Sequence, residues 1–278
     1  MTILVTGSRG KVGSHLIGLL HARGIAVRAG SADPSKLSLP EGVESVPLAL
    51  DDASGFRAAL AGVESVFLYC EPSEIDAFVK EAEAAGVRHV VIMSSDAVLL
   101  PDAADNCIAA PHLVVEQALE ASTITATAFR CGALAGNCLP WAWALKGAGF
   151  VSLPFPDSYA DPVNEKDIAE AALAALTETR FQGRSYHLTG PQALTFAEQV
   201  RTVEEAAGRS IPVRVVTPEE WKAGRAGYIP ADIADELLVL WSKDTEPLPL
   251  TGDIEELTGH PGRTFALWAE ENAPAFRG

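Results

Sequence analysis

The sequence is short of positive charge. Twenty-one Lys and Arg stand against 37 Asp and Glu, a formal net charge of −16. Nucleic acid and anionic membrane surfaces are held by clustered basic side chains, so neither is an expected partner. Cysteine is also scarce. Cys70, Cys107, Cys131 and Cys138 show no C-x-x-C spacing, and a disulfide scaffold is shorter and far denser in cysteine. They read as reduced thiols. No apolar run approaches the ~20 residues of a membrane span, and no repeat or low-complexity tract interrupts the chain. An apolar strand beginning at Thr2 leaves no room for a leader, so the expected compartment is the cytoplasm. What is present is a chain of 278 residues, 48% of them hydrophobic. That length is near the upper limit for one core, which implies a large α/β unit or two joined lobes.

The apolar residues set a rhythm of strands and helices. Ile3–Thr6, Ile25–Ala29, Val43–Val46, Ser65–Tyr69, His89–Met93 and Ile124–Arg130 read as strands. Between them lie helical patterns: one with Val12, Leu16, Leu19 and Leu20 on a single face, then Asp52–Leu60, Ser73–Ala85 and Leu113–Ala121. Ser73 is a candidate N-cap, and Gly24 and Gly86 are candidate helix ends. Strands alternating with helices predict βαβ units, and near-continuous apolar strands suit a sheet covered on both faces. The expected fold is therefore a Rossmann-type, doubly wound parallel α/β sheet.

After Arg130 the rhythm changes. A segment rich in Trp, Phe, Gly and Pro leads to a helix over 165–177, a return strand over 184–188 and a capping-box helix opened by Thr195 and Glu198. A strand over 211–216 follows, and Pro218 then opens another helix. This predicts a Rossmann-type domain of residues 1–133 plus about 163–190. A smaller α-rich C-terminal substrate lobe takes 134–162 plus 191–278.

The strongest motif is Gly7-Ser8-Arg9-Gly10-Lys11-Val12-Gly13, between the first strand and the first helix. Gly7 permits the tight turn, Gly10 lets backbone amides approach a pyrophosphate, and Gly13 lets helix and sheet pack closely. The helix N-terminus favours the anion. It is not a P-loop, because Lys11 is followed by Val12 rather than Ser or Thr. The charge balance agrees: residues 1–50 hold five basic and three acidic side chains, so the acidity lies elsewhere.

The spacing T-G-x-x-G-x-x-G is that of short-chain dehydrogenase relatives. Asp33-Pro34, Leu50-Asp51-Asp52, Ala85-Gly86-Val87, Met93-Ser94-Ser95, Phe129-Arg130-Cys131-Gly132 and Tyr186-His187-Leu188-Thr189-Gly190 narrow it. With them the chain resembles the NmrA-like atypical short-chain dehydrogenase/reductase family over almost its whole length. It looks nearest to the branch of quinone oxidoreductases and triphenylmethane reductases. That resemblance implies a bound NAD(P)H and a small aromatic or quinone-like substrate. The expected assembly is a monomer or homodimer.

Cofactor choice turns on charge near the ribose. Asp33 lies 20 residues past Gly13, as an NAD ligand would, but Asp33-Pro34 reads better as a turn. Arg9 is placed for a 2′-phosphate, and Arg28 and Lys36 are further candidates. NADP(H) is therefore expected over NAD(H). Asp51 matches a position that faces the adenine, or else caps a helix. Ser31, Tyr69, Cys70, Ser94 and Cys131, all near strand ends, complete the candidate cofactor contacts.

Ordinary short-chain dehydrogenases donate a proton through Tyr-x-x-x-Lys. Four residues after Tyr69, Tyr159, Tyr186 and Tyr228 stand Ser73, Val163, Gly190 and Asp232, so that pair is missing. In the corresponding helix, triphenylmethane reductase-like proteins have a His followed by a Glu, here His112 and Glu116. His112 is the candidate proton donor or substrate-polarising group; alternatively it packs the first turn of its helix. Ser95, Leu134, Asn137, Trp141, Phe155 and Tyr159, with Trp143 and Phe150, form either the pocket wall or the core of the lobe. The six histidines show no metal-ligand spacing, and no metal is expected.

The favoured function is hydride transfer from NAD(P)H to a quinone, enone or aromatic cation. The rivals are a non-catalytic NAD(P) sensor of NmrA type and a cofactor-binding fold turned to a non-redox biosynthetic step.

Overall fold

The computed structural model describes residues 1–277. The first half of the chain runs β1 (Thr2–Val5), α1 (Lys11–Ala22), β2 (Ala26–Ser31), β3 (Glu44–Pro47), α2 (Phe56–Leu60), β4 (Ser65–Tyr69), α3 (Ile75–Ala85), β5 (His89–Ser95), α4 (Ala109–Glu120) and β6 (Thr125–Cys131). The second half runs α5 (Leu139–Gly147), β7 (Val151–Leu153), β8 (Tyr159–Ala160), α6 (Glu165–Thr177), β9 (Ser185–Leu188), β10 (Leu194–Thr195), α7 (Phe196–Ala207), β11 (Val213–Val215), α8 (Pro218–Arg225), α9 (Ala231–Lys243), α10 (Asp253–Thr258) and α11 (Phe265–Phe276).

Seven strands form one sheet in the order β3-β2-β1-β4-β5-β6-β9, every neighbouring pair parallel. The order reverses between β1 and β4, and ligands bind at such a switch point beyond the strand C-termini. Side chains alternate between two cores as the pleat requires. Ile3, Val5, Phe67 and Val91 face α1 and α6, whereas Leu4, Val66, Leu68, Val90 and Ile92 face α2, α3 and α4. Burial on both faces is why these strands carry no polar alternation.

Several boundaries differ from the sequence expectation. β2 continues to Ser31, two residues past Ala29, because Gly30 and Ser31 pair on with Val46 and Pro47 of β3. Ser73 does not cap α3; its hydroxyl donates to Glu71 instead, and the helix starts at Ile75. α4 starts at Ala109, four residues before Leu113, because the Asn106 carboxamide oxygen accepts from the amides of Ile108 and Ala109. Pro111 sits in the first turn, where its missing N–H costs nothing.

The lobe has its own core, in which Trp141, Leu145, Val200, Val203, Phe265, Trp268 and Phe276 meet. The Thr195–Glu198 capping box is formed, and a second joins Thr217 and Glu220. Two ties bind the C-terminal segment to the sheet domain. Ile254 and Leu257 of α10 pack in the first core rather than in the lobe. The buried Asp167 carboxylate accepts from the Arg263 backbone amide at 2.7 Å and from its guanidinium. Among the described residues no helix is long and apolar enough to cross a membrane.

His89 makes stability depend on pH. It is buried at the start of β5, with Nε2 2.9 Å from Thr127 Oγ1 and no partner for Nδ1. Burial holds its pKa down to about 4. The unfolded imidazole titrates near ~6.5, so between these values the unfolded chain binds a proton that the folded one refuses. The stability is fully present above about pH 6.5 and falls towards pH 4, by on the order of 3 kcal/mol. Urea unfolding of His89→Gln should show a flatter pH dependence than wild type over that window; an equal slope refutes the assignment.

Candidate active site

The cleft is built where β1 hands the chain to α1. Gly7 has φ 60°, a left-handed conformation open to glycine, and its carbonyl accepts from the Gly10 amide at 2.8 Å. Gly10 then stands at the N-cap of α1 with no side chain capping the helix, which leaves the first-turn amides available to an anion. A Cβ on Gly13 would lie 2.6 Å from the Gly7 carbonyl oxygen, so the helix meets the turn as closely as backbone allows. Thr6 staples the switch point: its hydroxyl donates to the Phe67 carbonyl and accepts from the Tyr69 amide at 2.7 Å.

These elements border one cleft of about 690 Å³. One end is formed by Gly30, Ser31, Ala32 and the segment Leu48–Asp51. The middle is the turn from Gly7 to Gly13. The far end is formed by Phe67, Tyr69, Met93, Leu134, Asn137 and Leu139. Tyr69, 54% exposed, leans over the turn. Of the residues singled out from sequence, Gly7, Ser8, Arg9, Gly10, Lys11, Val12, Gly13, Ser31, Asp51, Tyr69, Leu134 and Asn137 border this cleft. Within the turn, Ser8 spends its hydroxyl on the Val5 carbonyl. Lys11 donates to Asn272 of α11 at 3.0 Å, which ties the turn to the C-terminal helix.

The remaining candidates, His112 among them, do not line this cleft. Arg28 turns away from the cleft: its Nε pairs with Glu44 at 2.9 Å, and Nη1 donates to the Ala59 and Ala61 carbonyls, both at 2.8 Å. It ties β2 to β3 and to the end of α2. Accordingly, Arg28→Met should leave the NADPH dissociation constant unchanged within about twofold yet lower unfolding stability by about 1–3 kcal/mol. Fluorescence titration and urea unfolding measure the two effects, and a tenfold loss of affinity refutes the structural role.

Cys70 packs against the second core, where burial pushes its thiol up to about 12. Cys131 is sealed in the first core and likewise shifted upward by burial. Neither borders the cleft or forms thiolate at neutral pH. The Ser94 hydroxyl donates to Glu116, which Arg130 also clamps, at 2.7 Å. Ser95 caps the turn at Ala97. Trp141 lies in the lobe core, and Phe155 packs with Trp221 and Leu238 in a smaller cluster. Tyr159 sits on β8, its amide bonded to the Asp244 carbonyl. Phe150 stacks under Arg214, and Trp143 is exposed.

His112 lies one turn before Glu116 on α4, with Nδ1 buried and unpartnered. Burial lowers its pKa, so it is neutral at pH 7. At the ribose end, Asp33 is committed to its own turn. It accepts from Ser35 and pairs with Lys36 at 2.9 Å, and these contacts hold its carboxyl below the usual range. The turn reading survives although β2 extends to Ser31.

Two groups escaped the sequence reading. Glu165, at the start of α6, accepts from the Gly136 amide at 2.9 Å and from Trp268 Nε1 at 3.1 Å, which holds the segment carrying Leu134 and Asn137 against the cleft. Asp96, Asp161 and His187 bring their facing atoms within 4.8 Å of one another. They come from β9 and two separate loops, and no local spacing announces them.

A glycine turn at a parallel switch point, with an uncapped helix behind it, is a dinucleotide cradle, and residues 7–179 match the family model described as NAD(P)H-binding. The chain belongs to this NAD(P)H-binding family. Among its relatives is the (4-alkanoyl-5-oxo-2,5-dihydrofuran-3-yl)methyl phosphate reductase of Streptomyces griseus, 34% identical over 280 residues that cover 99% of each chain. The NAD(P)H azoreductase of Xenophilus azovorans is 30% identical, again over 99% of both chains. An NADPH-dependent quinone oxidoreductase of Escherichia coli has the same architecture, with a TM-score of 0.80 and 25% identity, over 97% of this chain and 98% of that one. NmrA, a negative transcriptional regulator solved with NADP, superimposes with a TM-score of 0.77 at 20% identity, over 98% and 95%. The likeness to NmrA is one of fold.

Proposed function

We propose that the protein is an NADP(H)-dependent reductase of a small conjugated acceptor: an enone, a quinone or an aromatic cation. The observation that carries this reading is the single continuous cleft, with a polar, glycine-lined middle and an apolar far wall of Phe67, Met93, Leu134 and Leu139. A dinucleotide held by the turn supplies hydride when bound, and a flat acceptor has that wall to lie against. Arg9 and Ser31 would hold the ribose end, since Asp33 is bonded elsewhere. That distribution favours a 2′-phosphate over a 2′-hydroxyl. His112, neutral, would donate a hydrogen bond to the acceptor oxygen, and such fixed dipoles stabilise developing charge.

The named activities of the Streptomyces and Xenophilus relatives support reduction over a purely sensory role. The oxo-dihydrofuran in the first name is an alkene conjugated to a carbonyl, an enone-like acceptor. The reduced thiols and this cofactor fit a cytoplasmic setting.

The test is NADPH consumption, followed by absorbance, against a panel of cyclic enones, benzoquinones and triarylmethyl cations. Turnover of at least one class is expected. Tight NADPH binding with no turnover of any class would instead favour a sensor.

A further inference from the structure

Past the end of β5, whose Met93 lines the cleft, lies a cluster that the reading above leaves without a task. Met93 borders the cleft, and Asp96 follows three residues later, just past β5. Leu134 borders it too, and the preceding Ala133 amide donates to Asp161 at 3.1 Å. His187 projects from β9, beside Arg130 in the register of β6. The ends of β5 and β9, with the segment after β8 that carries Asp161, therefore gather one imidazole and two carboxylates.

The two nitrogens of His187 have different surroundings. Nε2 is shielded from solvent, faces Asp96 Oδ2 at 3.7 Å and makes no hydrogen bond. The side chain as a whole is 31% exposed, so the ring is not sealed in. The backbone fixes the residue: its amide donates to Asp253 at 2.7 Å, and its carbonyl accepts from Thr251. Asp96 stands opposite Nε2 as the orienting carboxylate does in an Asp–His pair, leaving Nδ1 for a substrate.

We propose that His187 is the proton donor of the reduction, delivering from Nδ1 while Asp96 faces Nε2. The proposal rests on the reductase reading. Reducing a conjugated alkene adds hydride to the carbon remote from the carbonyl and a proton to the carbon beside it. As hydride arrives, the π pair shifts towards the carbonyl to form an enolate. The Nδ1–H bond of the imidazolium then breaks, and its proton forms the new C–H bond. Neutral imidazole remains, and solvent returns the proton.

The electrostatics agree with that geometry. Asp96 raises the His187 pKa, and Asp161 and Asp253 act in the same direction, so the imidazolium persists nearer neutrality. Asp161, buried with its own pKa pushed up to about 6, backs the cluster. His112 is displaced the opposite way by burial. Two titratable groups pushed apart by their surroundings mark distinct roles, one the acid and one the hydrogen-bond donor.

The test compares wild type, His187→Gln and Asp96→Asn between pH 5 and 9 with 2-cyclohexenone and with a triarylmethyl cation, which takes up hydride and needs no proton. For the enone, wild-type kcat/KM should fall about tenfold per pH unit above the His187 pKa. His187→Gln should lose at least about a hundredfold and with it that alkaline limb. Its rate with the cation and its NADPH affinity should stay within about twofold. NMR titration of the cofactor-free protein should place the His187 pKa above ~6.5, and Asp96→Asn should lower it. Retention of the enone rate or of the alkaline limb in His187→Gln overturns the proposal, as does an equal loss with both acceptors or of NADPH affinity. A wild type inert towards every acceptor fails the reductase reading itself, and this proposal with it.

Discussion

Gly13→Ala should raise the NADPH dissociation constant at least about a hundredfold while the protein still folds. The added Cβ falls 2.6 Å from the Gly7 carbonyl oxygen, 3.0 Å from its carbon and 3.2 Å from Ser8 Cα. All three are backbone atoms, so no flexible side chain can move aside. Gly7 is itself held at φ 60° and bonded to Gly10. The turn must therefore shift as a unit, carrying with it the first-turn amides that would meet a pyrophosphate. Hydrogen bonds to a charged group contribute about 1.5–3 kcal/mol each, and about 2.7 kcal/mol is a hundredfold in affinity. Circular dichroism should show the fold retained, and fluorescence titration gives the dissociation constant. Affinity within about threefold of wild type would mean that the pyrophosphate does not lie on this turn.

Arg9→Ala should separate the two cofactors. NADPH affinity is expected to fall by about ten- to a hundredfold and NADH affinity by less than about threefold, since only the former carries a 2′-phosphate for a charge-assisted bond. Arg9 borders the cleft in the turn itself, and its charge also acts on Asp33 across the ribose end. The reverse change is informative as well: Asp33→Ala should alter neither cofactor much, because that carboxylate serves Ser35 and Lys36. Titration of both variants with both cofactors provides the measurement. Equal losses for NADPH and NADH in Arg9→Ala would overturn the NADP(H) preference.

The parts of the molecule readable from sequence were those fixed over a few residues. Positive-φ glycines at Gly7, Gly24 and Gly86, the capping box at Thr195 and the strand Ser65–Tyr69 all stand where expected. Each depends on local dihedral preference or on spacing within one turn. The errors lie where a distant partner decided the outcome. Arg28 looked like a phosphate ligand because it sits on β2, but carbonyls at the end of α2 claim it. Ser73 is the local exception: it had the right character for a cap, yet Glu71, two residues earlier, took its hydroxyl. For Trp141 and Phe155 the choice between pocket wall and lobe core was open, and packing at a distance in sequence put Trp141 in the lobe core and Phe155 against a smaller cluster.

From the sequence alone it follows that a parallel, doubly wound sheet carries a dinucleotide turn at its first crossover, since periodicity and glycine spacing are properties of short segments. Only the tertiary structure decided which polar groups meet past the strand ends. Asp96, Asp161 and His187 are brought together by the parallel register of β5, β6 and β9 and by the long crossovers between them. A register slip of one residue would turn His187 to the opposite face of the sheet. That register is set by packing over the whole domain, and no spacing within the chain encodes it.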